Sequence, residues 1–249
     1  MRIKILAALA VCTVPVGCET GSSDEFGAVL GEILGEVTTG ETGDASALST
    51  LEIDAALRQA LEIGATRVSD QIGVTDGFWK DPQIQIPLPG RLGQVQDQLS
   101  DIGLSAPLDD LQLRMNRAAE QAVPAGKTIV IDAVKSITIE DAIGLLNGGD
   151  TAATDFLRGR TETSLQALFK PYVEDALGSS GAYQALDSAV STVPMLAIAA
   201  TDYKSDLTTH AVQYGLDGLF DYLALEEQKI RENPVARTTD LLRKVFGSV

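Results

Sequence analysis

Three groups of residues have types and spacing suited to chemistry. The first is Met115-Asn116-Arg117-Ala118-Ala119-Glu120 with Arg114 beside it. On a helix Asn116 and Glu120 project about 40° apart, away from a stripe of Leu111, Met115, Ala118 and Ala122. Arg114 flanks that stripe on its other side and Arg117 points nearly opposite it. An amide, a carboxylate and two guanidiniums on one turn and a half could hold a polar ligand. The plainer alternative is a buried hydrogen-bond network that fixes helix register, because Leu113 also lies opposite the stripe and the helix should be covered on two sides.

The second group, Arg237-Thr238-Thr239, falls in the first turn of a helix opened by Asn233-Pro234. Free N–H groups, two hydroxyls and a guanidinium make a candidate anion site; the competing reading pairs Arg237 with an acid such as Glu226 or Glu227. The third group is the carboxylates Glu140, Asp141 and Asp240 near helix starts. Paired carboxylates perform general acid–base catalysis, yet Asp141, three residues after Thr138, is already explained by a cap and the helix dipole. His210 is the one histidine and suits a surface or packing role on a helix. No nucleophile elbow, phosphate loop, zinc-protease helix, calcium loop or dinucleotide fingerprint occurs, so neither a catalytic residue nor a cofactor is predicted.

Composition narrows the classes further. Thirty-five acidic against 19 basic residues give −16, and without residues 1–17, which hold Arg2, Lys4 and no acid, the charge is −18. Phosphate backbones and anionic lipid surfaces repel such a chain, which excludes nucleic-acid binding as an expectation. Both cysteines, Cys12 and Cys18, precede residue 19. The remainder has no thiol for a disulfide, a nucleophile or a metal site, and with one histidine no metal centre is predicted. Aromatics are 5% of residues while the hydrophobic fraction is 45%, which suits an aliphatic core of packed helices.

Residues 1–17 read as a lipoprotein-type signal peptide: a short basic start, an apolar run from Ile5 to Val16 too short for the roughly 20 residues that span a bilayer, then Gly17-Cys18. Cys18 is the expected lipid attachment point, although Pro15 departs from the usual pattern; ordinary cleavage and release is the alternative. The chain is thus expected to be exported to the periplasm and anchored to the outer membrane, since Glu19 is not the aspartate associated with inner-membrane retention. Residues 18–47, rich in Gly, Ser, Thr and Glu, read as a flexible tether.

Residues 48–249 are expected to form one all-α domain, an irregular multi-helix bundle of about ten helices with one extended Pro-rich connector. The first helix starts at a Ser49/Glu52 capping box. The connector spans Asp76 to Pro89, where Gln83–Ile86 alternates like a strand but Pro82, Pro87 and Pro89 deny it a sheet. Helices are expected over 88–102, 107–122, 124–134 (opened by Pro124), 138–146, 150–158, 161–177 (kinked at Pro171), 181–192, 203–231 and from Pro234 to the end. Leu216, Leu219, Phe220 and Leu223 should face inward, and Glu227/Arg231 should form an exposed ion pair worth a few tenths of a kcal/mol. The apolar run 194–200 should be buried.

Several of these landmarks occur together and in order: Ile86-Pro87-Leu88-Pro89, Met115 to Glu120, Thr138 to Ala142, Leu146-Asn147-Gly148, Ala153 to Phe156, Phe169-Lys170-Pro171, and the closing run from Ala224 to Gly247. In this the chain resembles the bacterial proteins grouped as domain of unknown function 4197, over nearly all of 49–247 and least well over 191–204. The resemblance implies a helical, exported, often lipid-anchored protein of Gram-negative bacteria and implies no particular activity.

Three functions fit. A non-catalytic envelope lipoprotein that binds a protein partner or serves as an assembly factor accounts for the tether and the missing catalytic motifs. A carrier would enclose a lipid or other hydrophobic small molecule, with Ile84, Ile86, Leu88 and 194–200 lining the cavity. A carboxylate-dependent hydrolase is the third.

Overall fold

The computed structural model describes residues 49–178, 203–232 and 239–246. The signal peptide, Cys18, the tether, the 181–192 helix, the 194–200 run and Asn233 to Thr238 lie outside the described residues. Seven helices and no strand occur among the described residues: α1 Thr50–Ile72, α2 Gly90–Ser100, α3 Ala106–Lys135, α4 Ile139–Leu146, α5 Ala152–Gly178, α6 Tyr203–Glu232 and α7 Asp240–Phe246. The all-α class is as expected; the count of about ten is not.

Two mergers account for most of that difference. The 107–122 and 124–134 segments are one helix, α3, with Pro124 inside it. The 150–158 and 161–177 segments are likewise one helix, α5, containing Pro171. An internal proline removes one helical hydrogen bond and costs about 3 kcal/mol, but both prolines stand on exposed faces. Ala167, whose carbonyl is deprived of its donor at Pro171, is an exposed residue too. The buried faces run through uninterrupted: Ala119, Ala122, Val123, Val130 and Val134 in α3, and Leu157, Leu165, Phe169, Val173 and Leu177 in α5. Thr161, expected to open a helix, instead donates its hydroxyl to the Leu157 carbonyl at 2.7 Å within one, the back-bonding that lets threonine sit mid-helix.

Local signals set the remaining ends. Ser49 and Glu52 form a reciprocal capping box at α1, and Thr138 and Asp141 form another at α4. Helix α3 packs against α5, α1 and α6, while α1 also receives α4 and α7. Leu216, Leu219, Phe220 and Leu223 of α6 face the core as expected, and Leu242 and Val245 anchor α7. Helix α2 leans on α3 through partly buried Leu92, Val95 and Leu99.

The connector between α1 and α2 is built from turns, extended only near its end, and is tucked into the bundle. Phe78, Ile84, Ile86 and Leu88 are all buried core residues. Gly218 of α6 permits this approach: a Cβ there would lie 2.9 Å from the Phe78 ring and 3.0 Å from Ile84 Cβ.

Candidate functional site

A loop that sends Phe78, Ile84, Ile86 and Leu88 into a helical core needs partners for the backbone groups it buries with them, because an unmatched buried amide costs 1–3 kcal/mol or so. Helix α3 supplies them. Asn116, fully buried, accepts from the Ile86 N–H through Oδ1 at 2.8 Å and donates through Nδ2 to the Ile86 carbonyl at 2.9 Å. Its amide thus pairs with both groups of one residue, as a neighbouring strand would. One turn on, Glu120 Oε1 accepts from the N–H groups of Phe78 and Trp79, each at 3.1 Å. Its Oε2 meets Arg117 at 2.7 Å, and Arg117 reaches onward to Asp76 at 2.5 Å. Asp76, at φ 73, is the one non-glycine residue among those described that lies in the left-handed region, a conformation aspartate tolerates better than most residues. Lys80 and Arg117 beside it hold its carboxyl below the usual carboxylate range.

Helix α6 grips the same connector from its other side. His210 Nε2 lies 2.8 Å from the Pro87 carbonyl; a carbonyl only accepts, so this nitrogen carries the proton. Burial pushes the imidazole down and outweighs that hydrogen bond, and the ring lies 4.3 Å from that of Tyr214, tilted by 36°. The Tyr222 hydroxyl donates to Asp81. Burial, then the Asp81 carboxylate, pushes that phenol up to about 12.

The candidate cluster is therefore brought together in part. Asn116, Arg117 and Glu120 converge on the connector, whereas Arg114 pairs with Asp110 at 2.8 Å. Arg114 and Arg117 also share an open groove of about 370 Å³ with Leu113, Gln121 and Asp175. In the anion candidate, Thr239 alone is described. Its hydroxyl accepts from the Leu242 N–H at 3.2 Å and donates to Gln59 at 2.8 Å. Of the acids near helix starts, Asp141 is held by Thr138, at 3.1 Å in both directions, and Asp240 is exposed beside Arg243.

Sequence reasoning missed two further buried carboxylates, Glu226, which meets Arg67 and Lys229, and Glu227. Glu227 was expected on the surface, yet its side chain is 5% exposed and that of Arg231 13%. Glu227 accepts from the N–H groups of Ala153 and Thr154, at 3.1 and 2.8 Å, and from the Thr154 hydroxyl at 2.8 Å. Arg231 donates to the carbonyls of Leu146 and Leu145, at 3.0 and 2.8 Å. A carboxylate at the start of α5 and a guanidinium at the end of α4 both complement the helix dipoles. The available signal was the pairing of Glu227-x-x-x-Arg231 with the glycine-flanked α4–α5 junction.

Beside this pair, an apolar cleft lined by Leu57, Leu61, Leu157, Leu223 and Ile230 holds about 20 Å³, room for one water rather than the ~300–1,000 Å³ of a small-molecule site. The connector residues Ile84, Ile86 and Leu88, expected to line a carrier cavity, are core packing. Among the described residues no helix is long and apolar enough to cross a membrane.

A family described as "Protein of unknown function (DUF4197)" matches residues 47–247. No curated protein and no solved structure matches. The matched span takes in all seven helices together with the α3 and α6 clamps, and the chain accordingly belongs to the DUF4197 family.

Proposed function

We propose that this protein is an exported envelope lipoprotein, anchored through Cys18, whose helical domain binds or helps to assemble a protein partner without catalysing a reaction. The observation that supports this is the exposed apolar turn between α2 and α3. Ile102 and Leu104 there are 66% and 60% exposed on a chain of formal net charge −16. The polar groups best suited to chemistry, Asn116, Glu120 and Glu227, are engaged with backbone amides, which suits a framework that presents a surface.

Photocrosslinking in intact cells tests this reading. A benzophenone amino acid placed in the full chain at Leu51, Ile102, Leu104 or Tyr214, all exposed, should give a discrete protein adduct from at least one position. Absence of adducts from every position, with the chain present at normal level, would remove the reading.

A further inference from the structure

The chain from Ser100 to Leu104 is uncovered, as are Ala106 and Pro107 beyond the half-buried Ser105. The turn is nonetheless closed by backbone hydrogen bonds. Gly103, at φ 72, closes a Schellman motif in which the Leu104 N–H meets the Leu99 carbonyl at 2.8 Å and the Gly103 N–H meets that of Ser100 at 3.0 Å. In this motif the residue at Leu104 ordinarily packs back on the one at Leu99; here most of Leu104 still faces water. Singly exposed aliphatics are ordinary on any surface, but Ile102 and Leu104 share one hydrogen-bonded turn, with Ala106 and Pro107 following. That is the composition of an interaction patch.

The chain on either side of the turn carries one sign of charge. Between Leu92 and Leu113 the sequence has Asp97, Asp101, Asp109 and Asp110 and no Lys, Arg or His. Asp97 and Asp101 are exposed. Asp109 is held by Ser105 and Gln96, and Asp110 is matched by Arg114.

Resting on the partner-binding reading above, we propose that the α2–α3 turn docks a segment of a partner protein in which apolar side chains are flanked by lysine or arginine. Charge selects among the occupants. Residues 19–47 of this chain carry seven acids (Glu19, Asp24, Glu25, Glu32, Glu36, Glu41 and Asp44) and no base. A second copy of the chain brings its own net −16, and an anionic lipid surface is of the same sign. Each sets like charges against the acids on either side of the turn, whereas a basic apolar segment gains burial and a complementary field together.

The test uses the purified full chain and three fluorescent peptides of equal length, built from Leu and Lys, Leu and Glu, or Ser and Lys. The Leu/Lys peptide should bind, more weakly as salt rises. Replacing Ile102→Ser together with Leu104→Ser should weaken it about tenfold or more, while Leu51→Ser leaves it unchanged. Both changes lie on exposed side chains, and retained helix content and melting temperature verify the fold. Equal binding of the Ser/Lys peptide, binding of the Leu/Glu peptide, indifference to the turn substitutions, or turn-dependent binding to zwitterionic phospholipid vesicles would each overturn the proposal. The crosslinking experiment separates the two readings. Adducts from Leu51 or Tyr214 with none from Ile102 or Leu104 sink the turn and leave partner binding standing, a self-adduct at the turn overturns this assignment, and no adduct anywhere removes both.

Discussion

Glu120 on α3 and Glu227 on α6 are two versions of one device. Each is a carboxylate about 95% buried or more that accepts two consecutive backbone N–H groups and pairs with an arginine within one turn of its own helix. Each arginine then reaches a third point: Asp76 for Arg117, and the last carbonyls of α4 for Arg231. The difference is in what they hold. Glu227 and Arg231 bind the ends of two regular helices, where dipoles already favour their charges. Glu120 and Arg117 bind an irregular loop, with Asp76 in a left-handed conformation, and Arg117 stays 29% exposed. A buried carboxylate with an arginine one turn away on the same helix, before it or after it, thus marks a structural staple in this protein, and the geometry of its target sets how much depends on it.

Replacing each carboxylate by leucine should separate the two staples, and carries the largest expected effect. Glu227→Leu takes the carboxylate from beside a guanidinium that is 13% exposed and should cost about 3–5 kcal/mol, the range for a broken buried pair. Glu120→Leu leaves Arg117 with Asp76 and with water, and should cost mainly the one fully buried amide it strands, that of Phe78, about 1–3 kcal/mol, the Trp79 amide being only part-buried. Urea unfolding followed by helix signal gives both values. Equal losses would show that the helix ends add nothing to the α6 staple.

Within the α3 clamp, the neutral member can be weighed against the charged one. Asn116→Leu strands the buried Ile86 N–H, and the Ile86 carbonyl keeps only Gln112 at 3.3 Å. The expected cost is about 2 kcal/mol, comparable to Glu120→Leu. A loss under about 0.5 kcal/mol, the scale of an ordinary surface substitution, would mean that the connector is held by apolar burial rather than by its amide partners.

What was legible in the sequence follows the same division. Periodicity identified the helices and their inward faces because burial on a helix repeats every 3.6 residues, and Leu111, Met115 and Ala118 are buried as that repeat requires. Caps at Ser49 and Thr138 were legible because they are local. Pro124 and Thr161 misled because local breaker chemistry was overridden by continuous buried faces, information that belongs to neighbouring helices. Glu227 looked like a surface residue because its partners, Ala153 and Thr154, lie more than 70 positions away. Asn116 and Glu120 stood out by type and spacing. Their targets, backbone amides of a proline-rich loop, leave no side-chain signature to read.

The smallest expected effect tests the second hand on the connector. Tyr222 of α6, 7% exposed, donates to Asp81, and its phenol is raised from the ordinary value near 10 to about 12. The neutral hydroxyl is therefore the form the fold favours. Its contribution is fully present below pH 10, where the unfolded phenol is also neutral, and is lost as pH rises towards 12. Tyr222→Phe removes the hydrogen bond outright and should lower stability by about 1.5 kcal/mol at neutral pH, the low end for a hydroxyl bonded to a charged acceptor. The gap between the two proteins should stay constant from pH 7 to 10 and close above it. Trp79, the one tryptophan in the chain, sits in the connector, so its fluorescence can follow this loosening separately from the helix signal. A gap that persists unchanged at pH 12 would place Tyr222 outside the clamp, leaving the connector to α3 and His210 and making the contrast with the α6 staple sharper still.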